Sequence, residues 1–200
     1  MKRRTSAKGK CFVDAARNAA TSGGEFYMKR PANTKESLVL VVGTAFGLGL
    51  APIAPGSFAA LLGVAIHALV WFFAPAPLRY PLLALALVIF TAVHFWLNDA
   101  AAKYWNDTDS GNFVLDEVAG YLVAALVALP LQPALATVRQ QFLLMGAAFV
   151  LFRVIDIIKV PPARQIDRNW HTAWGVILDD LIAGAYAGGI LWAAHALRLF

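Results

Sequence analysis

Apolar residues in this chain gather into long uninterrupted blocks, and the sparse charges after Glu36 mark where each block ends. The uncharged stretches are 42 residues (37 to 78), 19 (80 to 98), 21 (118 to 138), 13 (140 to 152) and 17 (181 to 197). A helix needs about 20 residues to cross a hydrocarbon core of ~30 Å. The blocks therefore predict about five spans, near 58 to 74, 80 to 98, 118 to 136, 140 to 158 and 180 to 198, the fourth running on through Arg153 to Ile158. The predicted fold is an all-α polytopic membrane helical bundle.

The longest block is interrupted within residues 43 to 57 by Gly43, Gly47, Gly49, Pro52, Pro55 and Gly56. A lipid-facing helix tolerates such a density poorly, because backbone groups freed by proline and glycine need partners that lipid cannot supply. This stretch is read as a re-entrant or interfacial loop. With the amino terminus inside, 13 Lys/Arg then lie inside and three outside; if residues 38 to 56 crossed instead, the split would be 12 to four. The positive-inside rule prefers the first arrangement by one residue. In both, the loops at 43 to 57, 99 to 117 and 158 to 179 share one side of the membrane.

Composition agrees with a bilayer protein: 60% of the 200 residues are hydrophobic and 14% charged, against about 25% charged in soluble domains. Residues 1 to 36 carry nine Lys/Arg and three acids, whereas residues 37 to 200 carry eight and nine. The basicity thus belongs to a tail, predicted to be a disordered cytoplasmic arm drawn to anionic lipid, followed by a membrane-embedded domain from 37 to 200. Nucleic-acid binding needs a basic face on the folded part, and that part is near neutral. Cys11 stands alone, which excludes an intramolecular disulfide and thiol pairs for zinc or redox work. The Cys11 to Arg17 string has phosphatase-loop spacing but lacks the glycines that let amides wrap a phosphate. No apolar run follows the basic start early enough for a signal peptide, and Met28 is an alternative start of translation.

The acids carry the chemistry. Asp116 and Glu117 stand where one span is expected to begin, Asp179 and Asp180 where another begins, Asp156 near the end of a third, and Asp167 in the adjoining loop. Each pair taken alone suits the positive end of a helix dipole. Converging on one membrane face, they repel unless a cation intervenes, and hard oxygen ligands suit Mg²⁺ or Mn²⁺. Arg153, Lys159, Arg164, Arg168 and His171 are interleaved with them, a mixture fit to hold a phosphate beside a metal. Plainer roles compete: an i,i+3 ion pair for Arg153 and Asp156, topology marking for Arg164 and Arg168, and interhelical hydrogen bonding for His67, His94 and His195. The glycines at 43 to 56, Gly56 among them, could serve tight helix packing or, combined with Ser57, offer backbone amides to a phosphate.

Three blocks resemble the bacterial phosphatidylglycerophosphatase A family over about residues 38 to 195. They are Gly43-Thr-Ala-Phe-Gly-Leu-Gly-Leu-Ala-Pro-Ile-Ala-Pro-Gly-Ser57, Val114-Leu-Asp-Glu-Val-Ala-Gly120, and Phe152-Arg-Val-Ile-Asp-Ile-Ile-Lys159 with Pro162, Arg164, Asp167, Arg168, His171, Gly175 and Asp179-Asp-Leu-Ile-Ala-Gly184. The chain has Thr172 and Ala173 where the family usually has two glycines, and Val160-Pro161-Pro162 where it has Trp-Pro.

The resemblance implies a Mg²⁺-dependent lipid phosphatase of the bacterial inner membrane, active at its cytoplasmic face, that converts phosphatidylglycerophosphate to phosphatidylglycerol. On this reading Asp116, Glu117, Asp156, Asp179 and Asp180 hold one or two Mg²⁺ ions. Lys159, Arg164 and Arg168, with Gly56 and Ser57, bind the phospholipid's phosphate, and His171 protonates the leaving alkoxide. Either a water or a carboxylate could attack. A small ion- or proton-coupled transporter is the alternative; it would place its acids near mid-membrane.

Overall fold

The computed structural model describes residues 30–170 and 172–198, and the side chains of 167–169 are outside the described set. Expectations for Cys11, Met28, the first 29 residues, His171 and the Arg168 side chain lie outside the described residues.

Among the described residues there are seven α-helices and no strand: α1 Thr34–Leu38, α2 Pro55–Phe73, α3 Ala76–Trp105, α4 Leu115–Ala128, α5 Val138–Ile158, α6 Ala163–Asn169 and α7 Ala173–Ala196. Five segments are long and apolar enough to cross a membrane: α2, α3, α4 with its 3-10 continuation to Ala134, α5, and α7. The expected bundle of five spans is therefore present, and its lipid-facing surface carries large apolar side chains such as Val88, Ile89 and Val154. The protein is a membrane protein.

Local sequence explains the helix ends. Pro55, whose fixed φ suits a first helical turn, starts α2 three residues before the expected span. Thr137 and Gln140 form a reciprocal capping box that starts α5. α7 begins at Ala173, seven residues earlier than expected, because the Thr172 hydroxyl accepts a hydrogen bond from the Gly175 amide. Thr172 is extended at φ −131°, so this position does not demand glycine. Ala173 contributes its carbonyl to buried His94, 3.3 Å from Nε2.

The Gly/Pro stretch does not form a membrane-length helix. Leu38 ends α1 and a π-helical turn covers Val39–Gly43, so the two together span about 15 Å at 1.5 Å per residue, half of a hydrocarbon core. They pack on Leu97 and Ala101 of α3 and on Phe113 and Leu115. Gly47 then turns the chain at φ 92°. With five crossings, this loop, residues 106–114 and residues 159–172 share one side, and the Val114 amide donates to the Gly43 carbonyl at 3.0 Å.

α4 is the central helix, buried on most of its surface, and α7 runs parallel to it. On α4, Asp116, Gly120 and Ala124 recur every four residues; on α7, Asp180, Gly184 and Gly188 do the same. Residues so spaced share a helix face. A Cβ on Gly184 would strike the Gly120 carbonyl, and one on Gly188 would strike Val127. Small residues allow this close approach, the usual way helices pack in lipid. The seam fixes the register of the two helices, and so brings their acidic ends together.

Candidate active site

Asp116 and Glu117 occupy the first turn of α4, where the helix dipole favours negative charge. Asp179 and Asp180 do not share that explanation. They lie six and seven residues inside α7, about 10 Å from its start, and are 6% and 4% exposed. Their burial within a helix requires partners other than a dipole.

Those partners divide the five acids into three groups. Asp179 accepts a hydrogen bond from Lys159 Nζ at 2.6 Å. Lys159 reaches it from the left-handed C-cap of α5, at φ 53°. Asp156 pairs with Arg153 Nη1 at 2.7 Å, the i,i+3 ion pair weighed from sequence. Asp116, Glu117 and Asp180 form the third group, each offering a carboxylate oxygen within 4.8 Å of the others. Asp156 also faces Asp180 and Glu117, so its ion pair borders the trio.

Among the described residues, the trio has no cation of its own beyond the edge of Arg153. Two unit charges 4.8 Å apart repel by about 3.5 kcal/mol at an effective dielectric near 20, and three such pairs exist here. Asp116 Oδ1 and Glu117 Oε2 are buried with no hydrogen-bond partner among the described residues. Converging hard oxygen donors with free lone pairs fit a divalent cation such as Mg²⁺.

Gly56, in the first turn of α2, lies directly against this group. A Cβ there would collide with the Glu117 carboxylate and come within 3.0 Å of Arg153 Nη2. Glycine at 56 thus leaves room for the heads of Glu117 and Arg153. The rest of the Gly/Pro loop is differently used. The amides of residues 44 to 51 bond within the loop, seven to backbone carbonyls and that of Gly47 to the Thr44 hydroxyl. None of these eight is left to face a phosphate. Ser57 is half-buried, and its amide bonds to the Ala54 carbonyl.

Of the other residues singled out from sequence, Arg164 is exposed on α6 and has no ion partner among the described residues. Arg153 is read from sequence as one of the interleaved bases or as the ion-pair partner of Asp156 and is not among the assigned phosphate ligands, although a guanidinium within an apolar span is costly enough to mark function. Its Nε is buried without a hydrogen-bond partner among the described residues, next to Glu117 and Gly56. Two histidines within the spans bond to other helices: His67 lies 3.2 Å from both the Tyr121 hydroxyl and Gln132 Oε1, and His94 Nε2 lies 3.3 Å from the Ala173 carbonyl.

Residues 41–195 match the family described as phosphatidylglycerophosphatase A. The chain is 33% identical over 154 residues to phosphatidylglycerophosphatase A of Escherichia coli strain K12, covering 77% of this chain and 80% of that protein. It is 31% identical over 160 residues to phosphatidylglycerophosphatase A of Haemophilus influenzae, covering 78% and 86%. A Bacteroides thetaiotaomicron protein, provisionally assigned as a phosphatidylinositol-3-phosphatase, is 33% identical over 160 residues, covering 80% and 92%. No solved structure matches the chain.

Proposed function

The chain belongs to the phosphatidylglycerophosphatase A family, and from that premise we propose that it removes the terminal phosphate of phosphatidylglycerophosphate in a Mg²⁺-dependent reaction, leaving phosphatidylglycerol. It is an enzyme of the phosphatase class, and family membership decides against the transport reading. The observation that carries the proposal is the trio of Asp116, Glu117 and Asp180, bordered by Arg153, with Lys159 paired to the adjacent Asp179 at one membrane face.

On this reading the trio holds the metal, with Asp156 and Asp179 in supporting positions that keep Arg153 and Lys159 aimed inward. A Mg²⁺ held by these carboxylates would supply Lewis-acid polarisation of a phosphoryl oxygen and lower the pKa of an attacking water. Arg153 and Lys159 bind the remaining phosphoryl oxygens and offset charge that grows in the transition state, while exposed Arg164, together with Arg168, attracts the doubly charged headgroup to the loop. Gly56 and Ser57 close the floor of the site from α2. His171 is the proposed acid for the leaving alkoxide. We place this face in the cytoplasm, with the protein in a bacterial inner membrane, on the excess of Lys/Arg on that side.

The test is phosphate release by the purified protein from detergent-dispersed phosphatidylglycerophosphate, with phosphatidylinositol 3-phosphate as competitor. Preferential release from the former supports the substrate assignment. Preference for the inositol lipid would reassign the substrate while keeping the phosphatase.

A further inference from the structure

The outward face of α7 carries a feature the phosphatase chemistry leaves unused. Ile182, Ala185, Tyr186, Gly189, Ile190 and Ala193 line an open apolar groove of about 450 Å³. These positions recur at helical spacing on one face, opposite the Gly184 and Gly188 seam, and Asp179 lies near the same face one turn before Ile182. We propose that this groove binds an acyl chain of the lipid whose phosphate occupies the site, a proposal that rests on the phosphatase reading above.

Three observations select a lipid chain as occupant. First, the groove is tied to the loop that leaves the site. The Tyr186 hydroxyl donates to the Pro161 carbonyl at 3.0 Å, in the loop that begins at Lys159, and Lys159 in turn holds Asp179. Second, charge at the head of the groove is complementary to an anionic headgroup: Lys159 is 30% exposed, and Arg164 is exposed beyond Pro162. Third, its length fits. From Ile182 to Ala193 the groove runs about 16 Å, close to the depth of one leaflet in a ~30 Å hydrocarbon core, and it starts from the leaflet on the side of the site. A lipid anchored there by its phosphate has its chain beside α7 from the first methylenes. Burial of each CH₂ contributes about 0.8 kcal/mol, so a filled groove would separate long-chain from short-chain lipids.

Gly189 allows a clean test, because a Cβ added there meets nothing within 4 Å. Gly189→Leu therefore starts its side chain in open space on the groove face. The purified full chain and this variant are compared on dioleoyl phosphatidylglycerophosphate, on its dibutanoyl analogue and on the deacylated headgroup phosphate. Gly146→Leu, also at an open position but on α5 and outside the groove, is the control. The expected result is a loss of tenfold or more in kcat/KM for the dioleoyl lipid in Gly189→Leu, with the deacylated compound and the control unchanged. Equal turnover of the dioleoyl lipid by wild type and Gly189→Leu would overturn the proposal.

A second readout is independent of turnover. Phosphatidylglycerophosphate bearing a diazirine on one acyl chain should label peptides within 182 to 193 in wild type and not in Gly189→Leu. If no protein releases phosphate from any substrate, the activity assignment fails, and the labelling still decides the groove: even labelling of all lipid-facing helices would overturn it. Conversion of a dimer to a monomer by Gly189→Leu, with dioleoyl turnover intact, would assign the groove to a second copy and also overturn it.

Discussion

The α-carbon of Gly184 lies so close to the backbone carbonyl of Gly120 that a methyl group on Gly184 would overlap the oxygen. One turn toward the site on the same two helices stand Asp180 and Asp116, whose carboxylates are within 4.8 Å. The seam and the acidic trio are thus consequences of one register. Gly184→Val should force α4 and α7 apart, costing about 1–3 kcal/mol as overpacking does and reducing turnover more than tenfold. Gly146→Ala, at an open position, should be neutral or raise Tm slightly. Thermal unfolding in detergent beside phosphate release checks both, and full turnover by Gly184→Val would mean that the register does not set the site.

Mutual repulsion among Asp116, Glu117 and Asp180 should make the metal-free protein easier to unfold than a variant with one carboxylate fewer. Asp180→Asn should therefore raise Tm without Mg²⁺ while reducing turnover by about two orders of magnitude. Adding Mg²⁺ should stabilise wild type, by about 2.7 kcal/mol at a hundredfold excess over Kd, and should have much less effect on Asp180→Asn. Equal Mg²⁺ shifts for the two would remove Asp180 from the metal site.

Lys159 and Asp179 are coupled through a 2.6 Å charged hydrogen bond. Lys159→Met should lose stability, and Lys159→Met/Asp179→Asn should regain part of it, with a coupling energy of about 0.5–3 kcal/mol. Turnover should stay low in the double variant, because the phosphate-facing cation is still missing. Recovery of activity together with stability would give Lys159 a purely structural role.

His67, between Tyr121 and Gln132 and far along α2 from Gly56, should behave as a packing residue. Its replacement by Ala should cost about 1–3 kcal/mol by leaving buried polar partners unsatisfied, with kcat unchanged at a temperature where the variant is folded. A collapse of kcat with Tm intact would contradict this.

Sidedness tests the topology. With Cys11 replaced by Ser, Thr108→Cys and Gln165→Cys should resist an impermeant thiol reagent in intact cells and react after lysis, whereas Ala134→Cys should react from outside. Thr108 serves better than its neighbour Asn106, whose left-handed backbone at φ 55° disfavours cysteine. Opposite behaviour at positions 108 and 165 would break the shared face on which the site depends.

The spans were legible in the sequence because charges are too costly within lipid to occur by accident, so their gaps outline the helices. Helix ends were less legible. Asp179 and Asp180 look like a helix start, yet Thr172 sets the start of α7, and the two acids persist inside it through Lys159 and the trio. Sequence also grouped five acids as equivalent ligands. Their division depends on Lys159 reaching 20 residues along the chain and on Arg153 turning toward Asp156, neither of which spacing alone decides. The Gly/Pro loop was a candidate phosphate cradle, but the amides of residues 44 to 51 and of Ser57 are spent on local turns, and the glycine at 56 adjoins the acids.

The most direct measurement is phosphate release from phosphatidylglycerophosphate by the purified protein in excess chelator, and again after Mg²⁺ is restored, with Asp116→Asn and Asp180→Asn in parallel. The account predicts no release in chelator, full recovery with Mg²⁺ in wild type, and little recovery in either variant. Undiminished release in chelator, or wild-type rates from both variants, would contradict the assignment of the buried carboxylates as a metal-dependent phosphatase site.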